Sequence, residues 1–212
     1  MLTENDRTMP NAAIAGMFDL GGVLIDWDPG KVYHEAFSED PGLVRRFLDT
    51  TLTDIGLASC ETPGELADVV APWRARGGEF VPLIDFFADA WPRFVQGPMA
   101  ESVSLVDRLL EREIPIYGLT NWPEATFPPR GDDFAFLDRF IDIVVSGREG
   151  MRKPGEQIFK LAIERFGLEP QATVYVDDHA GNIDTASRLG FRTHHFRSAA
   201  ALEAFLEKQG LL

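Results

Sequence analysis

One stretch constrains this chain more than any other: Ile14-Ala-Gly-Met-Phe-Asp-Leu-Gly-Gly-Val-Leu-Ile25, an apolar run that delivers Asp19 and then two glycines. Its first half has the length and composition of a buried strand. A carboxylate closing such a strand stands at the carboxyl edge of a sheet, where open α/β folds place their ligands. Gly21 and Gly22 let the backbone turn sharply and bring N–H groups close to an anion. Taken alone, Asp-x-Gly-Gly reads as a strand followed by a loop that the Asp caps. Three later stretches change that reading.

The chain between them sets the fold class. Asp26-Trp-Asp-Pro-Gly30 reads as a turn cluster of helix breakers, after which the pattern changes character. From Lys31 to about Gln96 the apolar residues keep helical spacing, as in Val32, Ala36 and Phe37 or Leu66, Val69 and Val70, with Glu-Asp-Pro and Glu-Thr-Pro-Gly at the breaks. No β-rich run interrupts them, and Gly97-Pro98 reads as the hinge on which the chain returns. From Glu101 helix and strand alternate, the mark of a parallel sheet covered on both faces. Strands are expected at 114–119, 141–145, 173–176 and 192–196, the last at an edge. Helices are expected at 102–111, 156–166, 182–189 and 199–208, with a short one at 134–140. The expected architecture is α/β: a doubly wound, Rossmann-like parallel sheet assembled from residues 1–27 and 98–212, with an all-helical cap at 28–97.

Composition narrows the partners. Lys+Arg number 20 against 34 Asp+Glu, a net charge of -14 over 212 residues. So acidic a surface repels phosphate backbones and anionic lipid, which argues against nucleic acid and membranes as partners. An anionic small molecule must then be attracted locally. The single cysteine, Cys60, permits no intrachain disulfide and suits a reducing compartment. The opening Met1–Pro10 is polar and lacks the apolar core of a signal peptide, and no run of 18 apolar residues occurs, so the cytoplasm is the expected location.

The three later stretches are Leu119-Thr-Asn121, Arg152-Lys-Pro154 and Val174-Tyr-Val-Asp-Asp178. The first and third close β-like runs, and Lys153 is read as opening an amphipathic helix. With Asp19 they resemble, in order, the four motifs of the haloacid dehalogenase-like (HAD) hydrolase superfamily: a nucleophilic Asp, a Ser/Thr, a Lys and an acidic pair. Phe18-Asp-Leu-Gly-Gly-Val is similar to the first motif of the branch with a purely helical cap. The resemblance implies hydrolysis of a small-molecule phosphate ester through an aspartyl-phosphate on Asp19, with Thr120 and Lys153 as the other catalytic residues. It implies phosphate contacts from Leu20, Gly21, Thr120, Asn121 and Lys153. It also implies Mg²⁺ held by Asp19, the Gly21 carbonyl, Asp177 and Asp178, with Asp178 the surer of the pair, and support from Asn182 and Asp184.

One position departs from the pattern. Most phosphatases of the superfamily carry Asp-x-Asp, in which the second Asp protonates the leaving oxygen and then activates water. Here that position is Gly21, which can do neither. Asp26, Asp28, His34 and His179 are nearby in sequence, and each reads better as a turn or surface residue. Three other readings compete. A 2-haloacid dehalogenase needs no metal and has no use for the second acid of Asp177-Asp178. A signalling receiver domain has its acidic pair first in the chain and no helical insert. A non-catalytic metal and phosphate binder would have lost turnover at Gly21. The aromatics Trp73, Phe86, Phe87, Trp91 and Phe94, at helical spacing, read as core between cap helices.

Overall fold

In the computed structural model, residues 13–129 and 131–212 are described; the polar opening Met1–Pro10 lies outside them. The first strand, β1 (Ala15–Phe18), is buried at every position, as its apolar run requires. The chain then forms β2 (Ile25–Trp27) and five helices, α1 (Pro29–Ala36), α2 (Pro41–Phe47), α3 (Thr53–Ser59), α4 (Leu66–Ala75) and α5 (Val81–Phe94). It returns through β3 (Val95–Pro98) and alternates thereafter: α6 (Ala100–Glu111), β4 (Ile116–Thr120), β5 (Asp142–Val145), α7 (Ser146–Glu149), α8 (Glu156–Phe166), β6 (Thr173–Asp177), α9 (Ala180–Arg188), β7 (Arg192–His195) and α10 (Ala199–Lys208).

Five strands make one sheet in the order β5-β4-β1-β6-β7, with every neighbouring pair parallel. The chain fills one side of β1 with β4 and β5, then crosses to the other side for β6. The strand order therefore reverses beside β1, and in open α/β sheets ligands bind at the carboxyl end of such a switch point. Strand period two sends alternate residues to opposite layers. Phe18, Val174 and Val176 pack in one apolar cluster with Leu105 and Leu109 of α6 and Leu202 and Leu206 of α10. Met17, Leu119 and Tyr175 pack in the other with Ile158 and Phe159 of α8 and Ala186 of α9.

Between β2 and β3 the chain is helical, and its starts are written locally. Asp28 and Asp40 each accept the amide three residues on, from Lys31 and Leu43 at 2.8 Å, with a proline in the first turn of α1 and of α2. A π-helical turn, Leu48–Leu52, joins α2 to α3. Tyr33, Phe47, Phe87 and Phe94 are the buried aromatic centre of this segment.

Several elements differ from the sequence expectation. Asp26 and Trp27 belong to β2, not to a turn cluster, and Gly97-Pro98 is not a free hinge but part of β3. The two strands pair antiparallel, Ile25 with Pro98 and Asp26 with Gly97. The ribbon is continued by Met99 N to Leu24 O at 2.8 Å and Asp28 N to Phe94 O at 2.9 Å. So short a pair, containing Gly and Pro, carries no local strand signal, and an edge strand tolerates the proline. The short helix expected at 134–140 is a 3₁₀ run at 132–139. Lys153, read as opening the following helix, lies in the turn before it, because Pro154 and Gly155 precede the start of α8 at Glu156. By contrast α8 and α10 run where the apolar period places them, with α8 stopped by Gly167 in the left-handed region at φ 63°.

Candidate active site

The carboxyl ends of β1, β4 and β6 bring Asp19, Thr120 and Asp177 to one edge. Asp19 follows directly on β1, and its amide donates to Val176 O at 2.9 Å, which sets its side chain beside the end of β6. The Leu20 amide donates to Asp19 Oδ1 at 2.7 Å and orients the carboxylate from its own loop. Beyond it the amides of Val23, Leu24 and Ile25 converge on the Leu20 carbonyl, and none of them donates to that of Gly21. Gly22 has φ 73°, and a Cβ there would stand 2.4 Å from Asp178 Oδ2, so only glycine fits. Gly21 differs: its φ is not positive, and a Cβ would meet nothing within 4 Å.

Lys153 is wholly buried, with its Nζ 2.8 Å from Asp19 Oδ2 and 2.7 Å from Asp177 Oδ2. A side chain that buries its charge needs a rigid base, and Asn121 provides one. Its amide donates to Lys153 O at 3.0 Å and its carbonyl oxygen accepts from Lys153 N at 2.9 Å, while Thr185 Oγ1 donates to Pro154 O at 3.0 Å. Asp177 is equally buried and fully engaged. Its Oδ2 accepts from Lys153, from the Tyr175 hydroxyl and from Asn182, and its Oδ1 accepts from His179 N at 2.8 Å and Asn182 at 2.9 Å. Asp178, next in sequence, is exposed and stands over Gly22.

Asp19, Asp177 and Asp178 each offer a carboxylate oxygen within 4.8 Å of the others. Three acids against one lysine strain the electrostatics. Burial, aided by Asp177 and Asp178 and opposed by Lys153, pushes the Asp19 carboxyl up to about 8. Burial and then Asp177 raise Asp178 as well. Burial also works against an ionised Asp177, but Lys153 and its hydrogen bonds outweigh it and hold that carboxyl below the usual range. Burial alone would lower Lys153, yet the facing carboxylates Asp177 and Asp19 keep it above its ordinary value. A hard divalent cation that takes oxygen ligands is the group such a donor set fits. Each Asp19 oxygen meets one protein donor, Leu20 N or Lys153 Nζ, and keeps a lone pair for it, whereas the Asp177 oxygens already accept two and three.

A cavity of about 410 Å³ opens over this edge. Asp19, Gly21, Thr120, Asn121 and Asp178 border it at the sheet edge, and Trp27, Phe87, Trp91 and Trp122 are among its other lining residues. Lys153 and Asp177 stand behind that wall rather than in it. Of the remaining expected residues, Asn182 holds Asp177, but Asp184 is exposed on α9 and neither hydrogen-bonds nor ion-pairs with the cluster, which corrects its expected supporting role. Asp26, Asp28, His34 and His179 do not line the cavity. The clamp by the Asn121 side chain and the Tyr175 hydroxyl were not anticipated. The first had no sequence signal; the second had one, since residues two apart on a strand share a face.

The chain is similar to known proteins in sequence and in fold. The chain is 24% identical over 198 residues to the sesquiterpene phosphatase astK of Aspergillus oryzae, covering 88% of this chain and 91% of that protein. A HAD family enzyme from Bacteroides thetaiotaomicron, in its magnesium complex, superposes with a TM-score of 0.66 at 26% identity over 88% of this chain and 94% of that one. The same enzyme is known with magnesium and inorganic phosphate together. The L-2-haloacid dehalogenase of Xanthobacter autotrophicus shares the fold at a TM-score of 0.62 and 17% identity, over 90% of this chain and 81% of that one. The family model for haloacid dehalogenase-like hydrolases matches residues 15–190, a span that begins with β1 and ends just past α9, and the chain therefore belongs to that family of hydrolytic enzymes.

Proposed function

We propose that this hydrolase is a magnesium-dependent phosphatase of small phosphate monoesters, acting through an aspartyl-phosphate on Asp19. The observation that carries the reading is the cluster of three carboxylates against a single buried lysine at the end of a cavity. Asp19, Asp178 and the Gly21 carbonyl would hold Mg²⁺, which when bound supplies positive charge to the phosphoryl oxygens and to the attacking carboxylate. The remaining chemistry belongs to the chain. Asp19 attacks phosphorus, the ester oxygen leaves with its electron pair, and water then cleaves the acyl phosphate and restores the carboxylate. Lys153, fixed by Asn121 and Asp177, holds Asp19 in place and favours its ionised form against the burial that raises it. Thr120 offers a hydroxyl to the phosphoryl group at the cavity wall. Residues 28–97 act as the cap over a core formed by 1–27 and 98–212.

Two relatives support this direction: one is called a phosphatase, and another is known with magnesium and phosphate. The dehalogenase likeness concerns the fold alone, and a metal-free displacement at carbon leaves the surplus acid Asp178 without a task. Among the described residues no helix is long and apolar enough to cross a membrane. A cytoplasmic setting is part of the same proposal and rests on the single cysteine, Cys60. The test is phosphate release from p-nitrophenyl phosphate. Activity should require Mg²⁺, vanish in excess chelator and vanish in a folded Asp19→Asn protein. Chloride release from a 2-chloroacid that survives chelation would replace the phosphatase reading with dehalogenation.

A further inference from the structure

We infer that the alcohol released at this site is an apolar one, an aliphatic chain or a substituted ring larger than benzene, rather than a sugar or a nucleoside. The inference rests on the phosphatase reading and adds the class of leaving group. Its ground is the rest of the cavity lining. Three indoles from three separate elements meet there: Trp27 of β2, Trp91 of α5, and Trp122, which follows Thr120 by two residues. Their ring centroids lie 4.5 Å (Trp27 to Trp91), 6.0 Å (Trp27 to Trp122) and 6.2 Å (Trp91 to Trp122) apart. Phe87, Leu52 and Leu57 extend the same surface.

The charged side chains of the lining are Asp19 and Asp178, both at the phosphoryl end. Away from the sheet edge the lining side chains add the Thr53 hydroxyl, which donates to Leu48 O, the buried Cys60 thiol, and the indole N–H groups of Trp27 and Trp91, the latter buried without a partner among the described residues. Asn121 is committed on both sides to the Lys153 backbone. A sugar or nucleoside enclosed here would leave several hydroxyls or ring nitrogens without partners, which is strongly unfavourable in a dry site. An apolar body instead gains by leaving water, and the lining it meets is mostly aromatic and aliphatic, with Trp91 and Trp122 themselves held rigid by burial. Size agrees. An apolar cavity of roughly 150 Å³ accommodates a benzene ring, so about 410 Å³ leaves room for the phosphoryl group and a body beyond one ring.

The experiment varies the body while holding leaving-group chemistry constant. Phenyl phosphate and its 4-methyl, 4-ethyl and 4-butyl derivatives release phenols of nearly equal acidity, and 4-(hydroxymethyl)phenyl phosphate approximates the ethyl compound in size with a hydroxyl in place of a methyl. We expect kcat/KM to rise by up to about fourfold for each added methylene until the cavity is full. The hydroxymethyl compound should fall roughly tenfold or more below the ethyl one. Leu57, 37% exposed and so tolerant of change, supplies the variant: Leu57→Gln should flatten the chain-length slope. A flat or falling series on the wild type, or a preference for the hydroxymethyl compound, with phenyl phosphate still hydrolysed, overturns the inference and leaves the phosphatase reading standing. Absence of magnesium-dependent phosphate release from every member overturns the phosphatase reading and the inference with it.

Discussion

Substituting aspartate at Gly21 tests where proton transfer occurs in this protein. A turn that demanded glycine at this position would make the variant uninformative, but the structure removes that objection. The positive φ belongs to Gly22, and a Cβ on Gly21 would meet nothing within 4 Å. Replacing glycine by alanine where the backbone already suits it is typically stabilising by about 0.4 to 1 kcal/mol; aspartate adds repulsion from Asp19 and Asp178, but the backbone and the open space at Gly21 should let Gly21→Asp fold. The new carboxyl would border the cavity beside Asp19, where a leaving oxygen needs a proton. General acid catalysis contributes about 10² to 10⁴-fold, or roughly 2.7 to 5.4 kcal/mol of barrier at 1.36 kcal/mol per tenfold. That gain belongs to poor leaving groups alone. In the wild type, log(kcat/KM) should therefore fall steeply with leaving-group pKa across a series from p-nitrophenyl to simple alkyl phosphates. In Gly21→Asp the alkyl members should gain about 10²-fold or more and the p-nitrophenyl ester little. Gly22→Asp is the control, and should lose both stability and activity because its side chain would collide with Asp178. A wild-type series that is already flat would mean that a general acid acts from elsewhere. A folded Gly21→Asp with no gain on alkyl esters would refute the assignment of that role to this position.

Further outcomes follow from the same geometry. The folded, metal-free protein holds a proton on Asp19 that the unfolded chain releases near 3.8, so this group's stabilisation is full below that pH and is lost as pH rises through about 8. Magnesium needs the carboxylate, so the rise in Tm on adding Mg²⁺ should grow with pH toward about 8 and then level, a dependence that Asp19→Asn should flatten. A constant increment across that window in the wild type would contradict it. Asp178→Asn should weaken Mg²⁺ binding in calorimetry and change unfolding free energy by no more than about 0.5 kcal/mol. Asp177→Asn, which deprives buried Lys153 of a partner, should cost about 3 to 5 kcal/mol in urea denaturation; the opposite pattern would put the metal on Asp177. Lys153→Ala strands two buried carboxylates and should cost a similar amount, about 3 to 5 kcal/mol, together with turnover.

Local chemistry in the sequence already determined the parallel sheet and the strand ends that carry Asp19, Thr120 and Asp177, since apolar runs of strand length closed by polar residues are written in consecutive positions. It determined α8 and α10 almost to the residue, because period and caps act within a few positions. Set beside the first motif that most phosphatases of the superfamily carry, the sequence also marked Gly21 as the position that lacks their second Asp. Only the tertiary structure divided the labour of Asp177 and Asp178. Identical neighbours in sequence, they point to opposite fates: one is wrapped by Lys153, Tyr175, His179 and Asn182, the other is left exposed over Gly22. Asn121 clamps Lys153 across 32 residues, and the two strands of the β2–β3 ribbon pair across the whole helical segment. The three tryptophans meet from three elements, and nothing in their own stretches marks them as one wall. Such contacts depend on how helices and strands pack, and packing joins residues whose local sequences carry no record of one another.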